Sequence, residues 1–313
     1  MITDAINGLL LFTPKKIKQK GPDFLALFAL AVVSIVWGTT WVVSKQGVEF
    51  IPALQMAGLR QIIGGSLYLV YFIFRKYPLP SRADFVPLII LSILNFVMSN
   101  GLSTWGLKYI SSGLGSIMGA IFPLWIVIIG VFSEKTTPPN KAITGLIIGF
   151  VGICVIFYDH LADFVNAEFR FGIFLSLIAT WTWAFGTIYT KSHAKIFNPY
   201  FGLGFQMVLS GIILSTISVF DPAYTPIAEI PPTTWFAIFY LVIFGSLIGF
   251  MCYLYALQHL PTEQTTIYAY INPIVALFSG WMVLGESLNP YIITGCIITL
   301  VGIYLVNSSY KAG

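Results

Sequence analysis

Ten apolar stretches make up most of this 313-residue chain, and together they contain one charged residue, Arg60. They run over residues 24–44, 52–74, 85–107, 111–133, 142–158, 171–190, 199–220, 233–258, 264–285 and 289–308. Every other Asp, Glu, Lys and Arg, and all three histidines, falls between the stretches or at the termini. Burying an unpaired ion in hydrocarbon is costly, so charge is segregated in this way when a chain crosses a membrane repeatedly. About 20 apolar residues form a helix that spans the hydrocarbon. The sequence therefore predicts an all-α polytopic membrane protein with ten transmembrane helices.

That pattern removes several function classes. The connections between stretches are too short to hold a soluble catalytic or nucleotide-binding module. A formal charge of +4 is spread over the connections rather than gathered in one patch, which points to membrane orientation and not to nucleic acid. Cys154, Cys252 and Cys296 lie inside apolar stretches without paired spacing, so no disulfide framework or thiolate metal site is expected. The histidines sit in separate connections, and no phosphate-cradling loop or nucleophile triad is present, so neither an enzyme nor a cofactor is expected. The expected partners are a small-molecule substrate and the lipid bilayer, and a homodimer is compatible with such a bundle.

Basic residues set the orientation. Twelve lie on the side that carries both termini, including Lys15, Lys16, Lys18 and Lys20 of the tail, against Lys45, Lys108 and Arg170 on the other. By the positive-inside rule both ends are cytoplasmic. The tail places its short apolar run before its charges, the reverse of a secretory signal, and is expected to be retained.

The chain also repeats itself. Trp105, Leu107, Ile110, Ile117, Pro123 and Gly130 recur 150 residues later as Tyr255, Leu257, Leu260, Ile267, Pro273 and Gly280, and Gly145 and Gly152 recur as Gly295 and Gly302. Trp37 and Lys45 match Trp183 and Lys191 at a shift of 146. Each repeat holds an odd number of spans, five, so the second copy enters from the opposite face, an arrangement used by secondary transporters. The expected organisation is a cytoplasmic basic tail over 1–23, a first five-span repeat over 24–158, an inverted second repeat over 171–308 and a cytoplasmic C-terminus over 309–313.

Two tandem five-span repeats, Trp37-Gly38 with Lys45, Arg60, Pro123 with Glu134, and the Gly285-Glu286 pair together resemble the EamA-type branch of the drug/metabolite transporter superfamily. The resemblance covers essentially all of 24–308. It implies a ten-helix basket around a central cavity in a bacterial inner membrane, and a role in exporting small metabolites, often amino acids, by alternating access. Two other readings remain open: a sugar or nucleobase transporter, and a membrane structural or lipid-handling protein without an enclosed polar pathway.

Arg60 is the first candidate site residue. It could hold a substrate carboxylate in the cavity through its guanidinium fork, or snorkel its head to the outer headgroups. Pro123 and Pro273 occupy matched positions and each frees the carbonyl four residues earlier, Gly119 and Ala269, either for a ligand or merely as a kink. Ser116, Met118 and Phe122 near the first proline, and Tyr268 and Asn272 near the second, are expected to project into the cavity. Trp37, Asn100, Trp183 and Tyr253 complete the expected substrate pocket, with Asn95, Ser99 and Gln206 as further polar groups. No mid-span carboxylate is available to exchange a proton. Finally, Lys45 with Glu286 on the outer side, and Lys191 with Glu134 on the inner, are expected either to close gates or to serve as independent headgroup anchors.

Overall fold

A computed structural model describes residues 24–134, 139–160, 162–193, 198–260, 265, 266 and 268–309. The basic tail lies outside them. The described chain is helical, with no strand among the described residues. Six helices are long and apolar enough to cross a membrane: α1 (Phe24–Gly47), α2 (Ala53–Phe74), α3 (Arg82–Gly106), α6 (Ala167–His193), α7 (Pro199–Ser218) and α8 (Pro232–His259). Shorter apolar helices occupy the other stretches. These are α4, in two pieces (Ser112–Gly119 and Phe122–Glu134), α5 (Asn140–Asp159), α9 (Tyr268–Leu284) and α10 (Pro290–Ser309).

Local chemistry starts these helices. At α3, the Ser81 N–H and hydroxyl both donate to the Asp84 carboxylate, at 2.6 and 2.7 Å, in a capping box. The Ser111 hydroxyl accepts the Leu114 N–H at 3.1 Å to open α4. Asn198 caps α7 by accepting the N–H groups of Tyr200 and Phe201, and Pro199 follows where a missing N–H costs nothing. The two matched prolines sit in different helix geometries. α4 breaks at Ala120-Ile121, just before Pro123, whereas α9 runs through Pro273.

The packing pattern recurs between the halves. α1 packs on α8 and α9, while its counterpart α6 packs on α3 and α4, so each half reaches into the other. The two most extensive contacts pair counterparts, α5 with α10 and α2 with α7. Both rest on glycine. A Cβ on Gly302 would lie 2.6 Å from the Gly145 carbonyl oxygen, and one on Gly295 would lie 2.6 Å from that of Gly152. In α2 and α7, Gly65 and Gly204 face each other in the same way, as do Gly58 and Gly211. Small residues let helix backbones approach closely where hydrocarbon gives no hydrophobic drive for association. Replacing Gly302 by Val should therefore push α5 and α10 apart and cost about 1–3 kcal/mol. Thermal unfolding of the purified protein measures it, and an unchanged midpoint would contradict the packing.

Buried aromatic rings fill one end of the bundle, the end where α1 starts and α2 finishes. Phe72, Phe96, Phe122, Tyr200, Phe201 and Tyr253 belong to this cluster. Toward the opposite end the interior hollows out.

Candidate solute cavity

Two helices widen where they reach the bundle centre. α3 is π-helical over Ser92–Gly101 and α8 over Leu241–Ile248, at matching places in the two halves. Single π-helical stretches inside α-helices occur often at functional sites. In α8 three successive carbonyls accept side chains from the first half. Trp37 Nε1 donates to Gly245 O at 3.0 Å, and Tyr68 OH donates to Leu247 O at 2.9 Å and to Ser246 O at 3.3 Å. In α3 the widened turns carry Asn95, Ser99 and Asn100 inward. Gln61 Nε2 donates to Asn100 Oδ1 at 2.8 Å, which ties α2 to α3.

Between these segments lies a cavity of about 130 Å³, several times the space one water needs. It extends from Trp183, Phe250 and Tyr268 near the centre to Ser44, Ser103 and Leu107 at the ends of α1 and α3. Hydroxyls and amides line much of it. Among the described residues its one charged wall residue is Arg60, which is only 6% exposed. Arg60 Nε donates to Ser246 Oγ at 3.0 Å, and the terminal nitrogens make no further hydrogen bond among the described residues. Gly245 makes room for them, because a Cβ there would sit 2.8 Å from Nη2. A buried cation whose fork is not spent on a protein carboxylate can take one from a ligand.

Of the residues expected to line a pocket, Arg60, Trp37, Asn100, Ser116, Trp183, Tyr268 and Asn272 do so. Pro123 and Pro273 stand behind the wall, but Gly119 and Ala269, whose carbonyls they free, line it. Tyr253 faces a second, smaller cavity. Met118 and Phe122 correct the expectation. Met118 turns away to pack with Ile110, Leu114 and Ile117, and Phe122 joins the aromatic core, stacked on Tyr268 at 6.2 Å. Met118 stands two residues after the wall residue Ser116, roughly 200° around the same helix, and Phe122 follows Met118 by about one turn, so neither shares the face of Ser116.

The outer pair is not joined in this structure. Lys45 and Glu286 make no ion pair among the described residues. Lys45 Nζ donates to Leu107 O at 2.8 Å, tying α1 to α3. Gly285, with φ +67°, turns the chain so that Glu286 reaches the positive end of α4. There it accepts from Ser112 N at 2.6 Å, Ser112 Oγ at 2.9 Å and Gly113 N at 3.0 Å. Its hydrogen-bond partners thus lie at a helix N-terminus, and its charge also acts on Lys45. Glu286→Ala should destabilise the protein by about 1–3 kcal/mol in thermal unfolding, with Glu286→Gln intermediate; an unchanged midpoint for the alanine variant would contradict the tie. The side chains of Glu134 and Lys191 lie outside the described residues.

Sequence reading missed Thr40, Trp41 and Ser44. The signal was present: Trp37, Thr40, Trp41 and Ser44 are spaced i, i+3, i+4, i+7, one helical face. It also missed Thr180, although Ser176, Thr180, Trp183 and Thr187 are spaced i, i+4, i+7, i+11 on one face of α6.

The fold and this cavity define a multi-pass membrane transporter. The sequence model of the EamA-like transporter family matches residues 24–158 and 170–308, and the chain belongs to that family. Among relatives, the uncharacterized inner membrane transporter YedA of Escherichia coli (strain K12) is 30% identical over 277 residues, covering 88% of this chain and 87% of its own. The uncharacterized transporter YoaV of Bacillus subtilis (strain 168) is 26% identical over 89% of this chain and 95% of its own. A solved crystal structure aligns at a TM-score of 0.67 with 14% identity, over 90% of this chain and 96% of the other, which shows the fold alone.

Proposed function

We propose that the protein is a secondary transporter that passes small organic solutes carrying a carboxylate, amino acids or close relatives, across a bacterial inner membrane by alternating access. The observation that carries the reading is Arg60, buried in the cavity wall with a hydroxyl as its hydrogen-bond partner and no acidic residue lining the cavity among the described residues. A carboxylate supplies what that fork lacks. Around it, Trp37, Trp183 and Tyr268 offer aromatic faces and Asn100, Asn272 and Ser116 offer hydrogen bonds, which suits an amphiphilic zwitterion.

In this reading the ten apolar stretches cross the membrane as two inverted five-helix repeats, with both termini in the cytoplasm. The larger cavity then reaches toward the outer ends of α1 and α3, while the aromatic core fills the inner half. This is an outward-facing arrangement. Rocking one half against the other would open the inner side.

Counter-flow uptake of labelled amino acids, sugars and amines into proteoliposomes tests the proposal. Exchange is expected for carboxylate-bearing solutes. Exchange of sugars or amines alone would overturn it.

A further inference from the structure

Along α2, Arg60, Gly64 and Tyr68 are spaced i, i+4, i+8 and so share one helical face. That face meets the widened turn of α8 at a single residue, Ser246. Tyr68 OH donates to the Ser246 carbonyl at 3.3 Å and to that of Leu247 at 2.9 Å. Gly64 lets the turn come close, because a Cβ there would lie 3.1 Å from Ser246 Cβ. Arg60 completes the face by donating Nε to Ser246 Oγ at 3.0 Å. From α1, Trp37 Nε1 holds the carbonyl of the preceding residue, Gly245.

Ser246 is fully buried, so its hydroxyl touches no solute in the cavity. What it touches is Nε, and that choice of atom decides how Arg60 can act. A guanidinium has two edges that present paired N–H groups to a carboxylate: Nε with one terminal nitrogen, or the two terminal nitrogens together. With Nε spent on Ser246, the pair Nη1 and Nη2 remains. Gly245 limits rotation of the plane, since a Cβ there would lie 2.8 Å from Nη2 and 3.4 Å from Cζ. Turning the guanidinium to offer its other edge would also break a buried hydrogen bond of a charged group, which is costly.

We propose that Ser246 is a positioning residue: by holding Nε it fixes the plane of the Arg60 guanidinium, so that a solute carboxylate is met end-on by the two terminal nitrogens. The proposal rests on the carboxylate reading above. It gives the widened turn of α8 a part in recognition without contact with the solute, because Trp37 and Tyr68 hold the turn that carries the hydroxyl.

The test is a double-mutant cycle on the purified full-length protein, with 3-phenylpropanoate as the probe. Ser246→Ala should weaken binding about threefold to tenfold, the range for a long side chain that must be ordered by the ligand instead of by the protein. Ser246→Cys puts a weaker acceptor at the same place and should fall between. In Arg60→Lys a methylene takes the position of Nε, so adding Ser246→Ala to that variant should change affinity less than about twofold. A Ser246 that only supports the fold would weaken both backgrounds alike. Equal losses in the two backgrounds, or unchanged or tighter binding by Ser246→Ala, would overturn the proposal. Failure of the carboxylate reading has a different mark, 3-phenylpropanoate bound equally, or not at all, by wild type and Arg60→Ala.

Discussion

Arg60→Ala is expected to lower affinity for a carboxylate-bearing solute by about tenfold to a hundredfold, the range for losing charge-assisted hydrogen bonds. Arg60→Lys should fall between, because lysine keeps the charge but not the two-pronged geometry. Removing Arg60 takes one donor from the neutral Ser246 hydroxyl and leaves no charge unpaired, so the fold should persist. Binding measured on variants with wild-type thermal midpoints separates recognition from stability. Equal affinity in wild type and Arg60→Ala would assign the guanidinium to packing.

The second large effect falls on Trp183, which lines both the main cavity and the smaller one. Trp183 lies within 5.5 to 6.5 Å, centroid to centroid, of Trp37, Phe122, Phe250 and Tyr253, and its Nε1 donates to Tyr268 OH at 2.8 Å. Trp183→Ala should cost about 3–5 kcal/mol of stability through lost contacts and the void left behind. Because Trp183 lines both cavities, the void should also join them. Proteoliposomes carrying the variant should leak solute without counter-substrate, whereas Phe250→Leu, which keeps most of the volume, should leak far less. A stable, tight Trp183→Ala protein would show that the rings do not separate the two spaces.

The difference between what the sequence discloses and what the structure adds follows from the range of the interactions involved. Helix positions depend on runs of apolar residues and on caps such as Ser111 and Asn198, all local in sequence, and each apolar stretch contains a helix. Arg60 stands out because one cation among so many apolar residues needs a reason. The matched tryptophans Trp37 and Trp183 do meet, with centroids 5.9 Å apart, as a shared central position suggests. What could not be read was contact across the two halves. Glu286 sits at a helix end in sequence, yet it caps α4, 174 residues earlier. Met118, by contrast, was legible, since it stands two residues after Ser116 and about 200° around one unbroken helix. The π-helical widening of α3 and α8 has no composition signal, and the fit of Asn95 against Gly186 depends on how α3 meets α6.

The account rests on a solute carboxylate at Arg60, and the most direct measurement is a structure of the protein with a bromine-labelled member of whichever solute class exchanges in the counter-flow panel. The account predicts bromine in the cavity bounded by Trp37, Trp183 and Tyr268, with the carboxylate on the Arg60 fork. Bromine at the lipid-facing surface, or in the cavity with the carboxylate directed away from Arg60, would contradict it.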